Sequence, residues 1–227
     1  GNLSDAALKH LAEQYSQFSL LTYSSRRAQA LGDRTKDVKK EFIFEGTGVL
    51  QRRDAQLLYF SLPFFKVPPR PYLIFSTALH KPTIDELYIR SAGVEPHPQV
   101  LILRSGSFVF GAYLNCPITL EGRWVGSPSC FLFSTTMDLR FPYHGKCTPP
   151  SFDEVGSHAS YHCLYADVKQ LVFGNGDLVI QEDLRTGSSE LEGSYGVGLT
   201  RGSLGSQALL AGGPDFHIDA LELYGVM

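Results

Sequence analysis

Residues 171–180 read Leu171-Val172-Phe173-Gly174-Asn175-Gly176-Asp177-Leu178-Val179-Ile180. Two apolar runs meet at Asn175-Gly176, the pair best suited to the positive φ angles of a two-residue type I′ turn, so the stretch predicts a β-hairpin. The same grammar recurs on either side of it. Val100-Leu101-Ile102-Leu103 and Phe108-Val109-Phe110 flank Ser105-Gly106, which predicts a second tight hairpin. Tyr72–Phe75, Phe131–Phe133, Tyr161–Phe173, Asp177–Gln181 and Phe216–Tyr224 supply further segments of strand type. One helix interrupts them: Thr83-Ile84-Asp85-Glu86 reads as a capping box, preceded by Pro82 and closed by Gly93. Phe141–Gly156, with three prolines, reads as a long loop, and the Gly/Ser-rich stretch Gly193–Gly213 as another with one strand inside it.

Short strands joined by tight turns predict antiparallel sheets packed face to face. The expected class is α+β, mainly β: a two-sheet antiparallel β-sandwich with peripheral helices. The first 60 residues are different. Leu8, Leu11, Tyr15 and Phe18 form one stripe of an amphipathic helix, which Ser4 can cap and Leu3 can staple. Ser25–Leu31, ended by Gly32, reads as a second helix, and a third is expected to begin near Asp54. The chain is therefore divided into a helical N-terminal extension, 1–60, and a main domain, 61–227.

A chain of 227 residues with 43% apolar and 19% charged residues belongs among globular proteins rather than disordered or fibrous ones. No apolar run approaches the ~18 residues that span a bilayer. The net charge of −3 is uneven: from Asp167 onward there are nine acidic residues and three basic ones. Such a face repels phosphate backbones, which excludes nucleic acid, and suits a basic protein partner. Cys116, Cys130, Cys147 and Cys163 are too few for a disulfide-dense scaffold and read as reduced, mostly buried thiols of a cytosolic protein.

A series of blocks in consistent order resembles the TLDc domain. They are Leu62-Pro63, Leu73-Ile74-Phe75-Ser76-Thr77-Ala78-Leu79-His80, Leu87-Tyr88, Phe110-Gly111-Ala112-Tyr113-Leu114 and Cys130-Phe131-Leu132-Phe133. Gly174-Asn175-Gly176, Asp183-Leu184, Gly187-Ser188-Ser189, Asp215-Phe216-His217-Ile218 and Glu222-Leu223-Tyr224-Gly225 complete the series. The chain departs from the family at Gly126-Ser127-Pro128-Ser129-Cys130, which lacks the acid that usually precedes the cysteine. It also lacks the cysteine that often follows Gly-Ser-Ser. The resemblance implies protection against oxidative stress and, as in several members, binding to the vacuolar proton pump with regulation of its assembly. It implies a cytoplasmic protein, peripheral to an organelle membrane through its partner. No catalytic residues and no cofactor come with it.

No Gly-x-Ser-x-Gly elbow and no phosphate loop is present. Ser188 and Ser189 follow a glycine, where such residues bond local backbone. Glu182 and Asp183, with Asp177 or Glu222, would serve as paired carboxylates only if one were buried. His144, Cys147, His158 and His162 have ligand types that suit zinc, which makes a metal-dependent hydrolase one alternative. A thiol peroxidase acting through Cys130 is the other. The reading preferred over both is a noncatalytic interaction domain. Its contacts to a protein partner are assigned to His80, Glu182, Asp183, Ser188, Ser189, Asp215 and Glu222, some of which hold the loops that make the surface.

Overall fold

The computed structural model describes residues 4–15, 44, 46–63, 70–94, 97–145, 147–148, 160–191, 193–196 and 198–227. The helices among them are α1 (Asp5–Gln14), α2 (Arg52–Ser61), α3 (Ile84–Ala92) and α4 (Leu204–Ala208). The first sheet contains β1 (Pro71–Ser76), β2 (Gln99–Ser105), β3 (Phe108–Leu114), β5 (Phe131–Ser134), β6 (Leu139–Pro142) and β14 (Ala220–Val226), ordered β1-β14-β2-β3-β5-β6. The second contains β4 (Trp124–Val125), β9 (Leu164–Ala166), β10 (Gln170–Phe173), β11 (Leu178–Gln181), β12 (Thr186–Ser188) and β13 (Asp215–His217), ordered β13-β12-β11-β10-β9-β4. A two-stranded ribbon pairs β7 (Cys147–Thr148) with β8 (Ser160–Tyr161). All these pairings are antiparallel, as expected of the sandwich.

The two sheets differ in what they cover. In the second, burial alternates: Leu171, Phe173, Leu178 and Ile180 point into the core, while Val172 and Val179 stay partly open. The first sheet is buried on both faces. Leu101, Leu103, Phe110, Leu132, Leu221 and Leu223 meet the second sheet in one core. Val100, Ile102, Tyr113, Phe131, Phe133 and Tyr224 point the other way, into a second core capped by Phe44, Val49, Leu50, Leu58, Tyr59 and Leu62. That double burial explains why its strands read as unbroken apolar runs. It also places Phe44 and residues 46–62 in the packed body of the molecule.

The central hairpin forms in register, with Phe173 opposite Leu178, but its turn differs from the expected two-residue one. Four residues, Gly174–Asp177, make the connection, and the positive φ angles fall on Gly174 (60°) and Gly176 (93°) rather than on Asn175. The cause is Asp177. It is fully buried, and its Oδ2 accepts the Asn175 N–H at 3.1 Å while Oδ1 accepts the Tyr195 N–H at 3.2 Å. A side chain on Gly174 would collide with that carboxylate and approach Ser194 Cβ to 2.6 Å.

Helix α3 starts at Thr83 as expected, yet the capping-box bonds are not made. The Ile84 N–H instead donates to the Glu182 carbonyl (3.2 Å), and Glu86 pairs with Arg90 at 2.7 Å. The Ser4 cap is made, with its hydroxyl accepting the Ala7 N–H at 3.3 Å. Leu11 is buried and Leu8 and Tyr15 are partly so, whereas Phe18, Leu3 and the expected helix Ser25–Leu31 lie outside the described residues. Where a strand was expected within 193–213, the described residues form the short helix α4, capped by Ser203. No helix among the described residues is long and apolar enough to cross a membrane.

Candidate functional site

The turn that follows β1 and the turn that follows β11 meet at one end of the sandwich. The Ile84–Glu182 backbone bond joins them, and between them lies a cleft of about 190 Å³ lined by Thr77, Pro82, Leu184, Arg185, His217 and Asp219. Three expected contact residues belong to this rim. Glu182 and Asp183 are exposed. Asp183 also shapes the turn: its Oδ1 accepts the N–H groups of Arg185 (2.8 Å) and Thr186 (3.0 Å), and the Thr186 hydroxyl. Its slight burial works to raise the carboxyl pKa, but those N–H groups, the hydroxyl and the Arg185 charge outweigh it and hold the group below the usual range. His80 is half-buried. Its Nδ1 accepts the Ser76 N–H at 3.0 Å and its ring leans on Phe75, so it holds the turn that presents Leu79, which is 70% exposed.

The other expected residues lie elsewhere. Asp215 is exposed at the opposite end of β13, paired with the half-buried Ser188. Ser189 is buried, its hydroxyl donating to the Asp177 carbonyl at 3.1 Å. Glu222 is 3% exposed and faces the second core. Its Oε1 accepts the Gly48 N–H at 2.8 Å, and its Oε2 accepts the hydroxyls of Thr47 (2.7 Å) and Tyr224 (3.2 Å). Thr47 Oγ1 accepts in turn from the N–H groups of Val49 and Leu50. Burial and then the neighbouring Glu222 push the Tyr224 phenol well above its ordinary range. Glu222 is thus the clasp that ties residues 47–50 to β14. No carboxylate pair for acid–base work assembles from Asp177, Glu182, Asp183 and Glu222: the first and last are enclosed by separate hydrogen-bond sets.

At the far end of the second sheet, Trp124, His144, Gly145, His162, Gly174, Asn175, Gly193 and Ser194 line a cavity of about 440 Å³. The Trp124 and His162 rings stack in parallel, 5.0 Å apart. Two residues of the zinc alternative therefore share one cavity wall. His158 and the Cys147 side chain lie outside the described residues, and among those described no group of three His, Cys, Asp or Glu is placed to hold a metal ion.

Beside this cavity is an arrangement that sequence spacing could not reveal. Cys130 and Cys163 are both buried, and their sulfurs converge on Ser127. Cys130 Sγ also accepts the Ser127 N–H at 3.5 Å and reaches Asn115 Oδ1 at 3.3 Å, while Cys163 Sγ donates to the Ser127 carbonyl at 3.1 Å. The Cys163 thiol holds the Cys130 pKa below the usual thiol range against the opposing effect of burial, and Cys163 is itself driven upward. Burial, followed by Cys130, pushes the nearby Cys116 up to about 12. Asp177 was also undervalued from sequence. An acid directly after Gly-Asn-Gly is the signal for a turn closed by its own side chain.

A two-sheet antiparallel sandwich, thickened on one face by a helical segment and presenting turns at both ends, defines the class. The chain belongs to the TLDc domain family, whose model matches residues 43–227. The match takes in residues 44–62, the segment clasped by Glu222. A comparison with curated proteins returns no match.

Proposed function

We propose that this TLDc domain is a noncatalytic protein-interaction module that acts in oxidative-stress protection by binding subunits of the vacuolar proton pump and regulating its assembly. The observation that carries this reading is the rim formed by the turns at 77–80 and 182–185. It offers the exposed Leu79 on one turn and the exposed Glu182 on the other, with His80 and Asp183 bonded within their own turns and the Ile84–Glu182 bond joining the two segments. An exposed apolar side chain next to a fixed acidic turn is the composition of a contact surface. Glu182 is exposed at that turn, which presents its charge to a partner.

The test is a pull-down of purified pump subunits by the wild-type domain and by Glu182→Lys, alone and combined with Leu79→Ser. The double variant is expected to bind about tenfold more weakly, a loss of roughly 1.4 kcal/mol, with a melting temperature close to wild type. Undiminished capture by the folded double variant would remove this rim from the interface.

A further inference from the structure

We propose that Cys130 and Cys163 form a redox-sensitive dithiol, which a hydroperoxide converts to a disulfide that staples the two sheets of the sandwich together. The inference rests on placement. Cys130 directly precedes β5 in the first sheet, and Cys163 directly precedes β9 in the second. Thirty-three positions apart in sequence, their sulfurs are brought to the same residue: Cys130 Sγ accepts the Ser127 N–H at 3.5 Å and Cys163 Sγ donates to the Ser127 carbonyl at 3.1 Å. Gly126 lies at φ 113° so close to them that a Cβ there would stand 3.0 Å from Cys163 Sγ and 3.2 Å from Cys130 Sγ. Only a residue without a side chain lets the two sulfurs converge at that point. Two sulfurs that flank one glycine this closely, each from its own sheet, need little backbone movement to bond.

The roles divide by chemistry. Cys130 is the attacking sulfur, since the thiolate is the nucleophile and the neighbouring thiol favours that form. Cys163 keeps its proton and resolves. In the first step the Cys130 sulfur attacks an oxygen of the hydroperoxide. The S–O bond forms, the O–O bond breaks, and the leaving alkoxide or hydroxide takes up a proton. Sulfur is oxidised by two electrons to the sulfenic acid and the peroxide is reduced. In the second step Cys163 attacks the Cys130 sulfur, the S–S bond forms, and the S–O bond breaks with loss of water. One peroxide and two thiols become one disulfide and two molecules of water or of water and alcohol. The loop Gly126–Ser129 meets both sulfurs through Gly126 and Ser127, and its Pro128 and Ser129 are exposed. The chemistry is independent of any partner bound at the rim.

The experiment is to treat the purified chain with hydrogen peroxide and follow it by intact mass and non-reducing peptide mapping, with thermal unfolding read in parallel. The expected product is lighter by two hydrogens, contains a Cys130–Cys163 peptide pair, and melts about 5 °C or more higher than the reduced protein. A thiol reductant restores the original mass and melting point. Cys163→Ser is expected to trap Cys130 as sulfenic or sulfinic acid, with no gain in melting temperature. Cys130 linked to Cys116 or Cys147 instead, a pair still reduced when exposed thiols have been oxidised, or a cross-link that lowers the melting point would each overturn the proposal. These readouts use the wild-type chain, so they stand even if a cysteine variant folds poorly.

Discussion

Replacing Glu222 by Ala removes the acceptor from three donors at once: the buried Tyr224 hydroxyl, the half-buried Thr47 hydroxyl and the Gly48 N–H, whose residue is exposed. A buried donor left without a partner costs about 1–3 kcal/mol. Water can reach the Gly48 N–H and the Thr47 hydroxyl to recover part of this, so the net loss is expected at about 2–4 kcal/mol. At roughly 2–4 °C per kcal/mol for a chain of this size, the melting temperature should fall by about 10 °C. Glu222→Gln keeps one oxygen and the shape of the side chain, and should cost about 1 kcal/mol. Urea unfolding of wild type, Glu222→Ala, Thr47→Ala and the double variant checks the reasoning. If the clasp is one unit, the two substitutions couple by about 1 kcal/mol or more, because the second finds its partner already gone. A folded Glu222→Ala protein within about 1 kcal/mol of wild type, or additive single variants, would refute the clasp. Because the side chain is only 3% exposed, Glu222→Gln should leave partner binding at its wild-type value.

Two further expectations concern the turns. Gly174→Ala should destabilise by about 3 kcal/mol or more, since it adds left-handed backbone strain to a collision with Asp177 and Ser194. Gly176→Ala, whose Cβ would enter open space, should cost about 1–2 kcal/mol, and chemical denaturation of the pair separates strain from collision. Asp183 has a depressed carboxyl pKa in the folded chain. Its contribution to stability is therefore present above the unfolded value of about 4 and lost as pH falls through the folded one. Solvent screening keeps that contribution under about 1 kcal/mol, so the stability gap between wild type and Asp183→Asn should narrow from pH 7 towards pH 2.

The strands were legible because their residues obey simple packing rules. Leu171–Phe173 and Leu178–Ile180 alternate and form the half-open sheet, and Val100–Leu103 reads as a continuous apolar run because both of its faces are covered. Chain-local chemistry also located the start of α3 and the Ser4 cap. What sequence could not convey were partners distant along the chain. The α3 N-terminus is satisfied by a carbonyl 98 residues away, so Thr83 and Glu86 are not needed as a box. Glu222 reads as an ordinary acid on a terminal strand, and only the return of residues 44–50 over β14 encloses it. The Asp177 carboxylate overrode the usual preference of Asn-Gly for a two-residue turn. Of the rim, the acidic turn was readable, while the neighbouring apolar Leu79 and the cleft between the turns depend on topology.

The strand order β1-β14-β2 has a consequence for biosynthesis. Residues 220–226 insert between two strands made more than a hundred residues earlier, so β1 has no neighbour within its own sheet until they leave the ribosome. During translation the half-built layer carries an open edge and a long stretch of greasy surface, a state that invites wrong pairing or chaperone capture. Closure of this layer waits for that inserted strand.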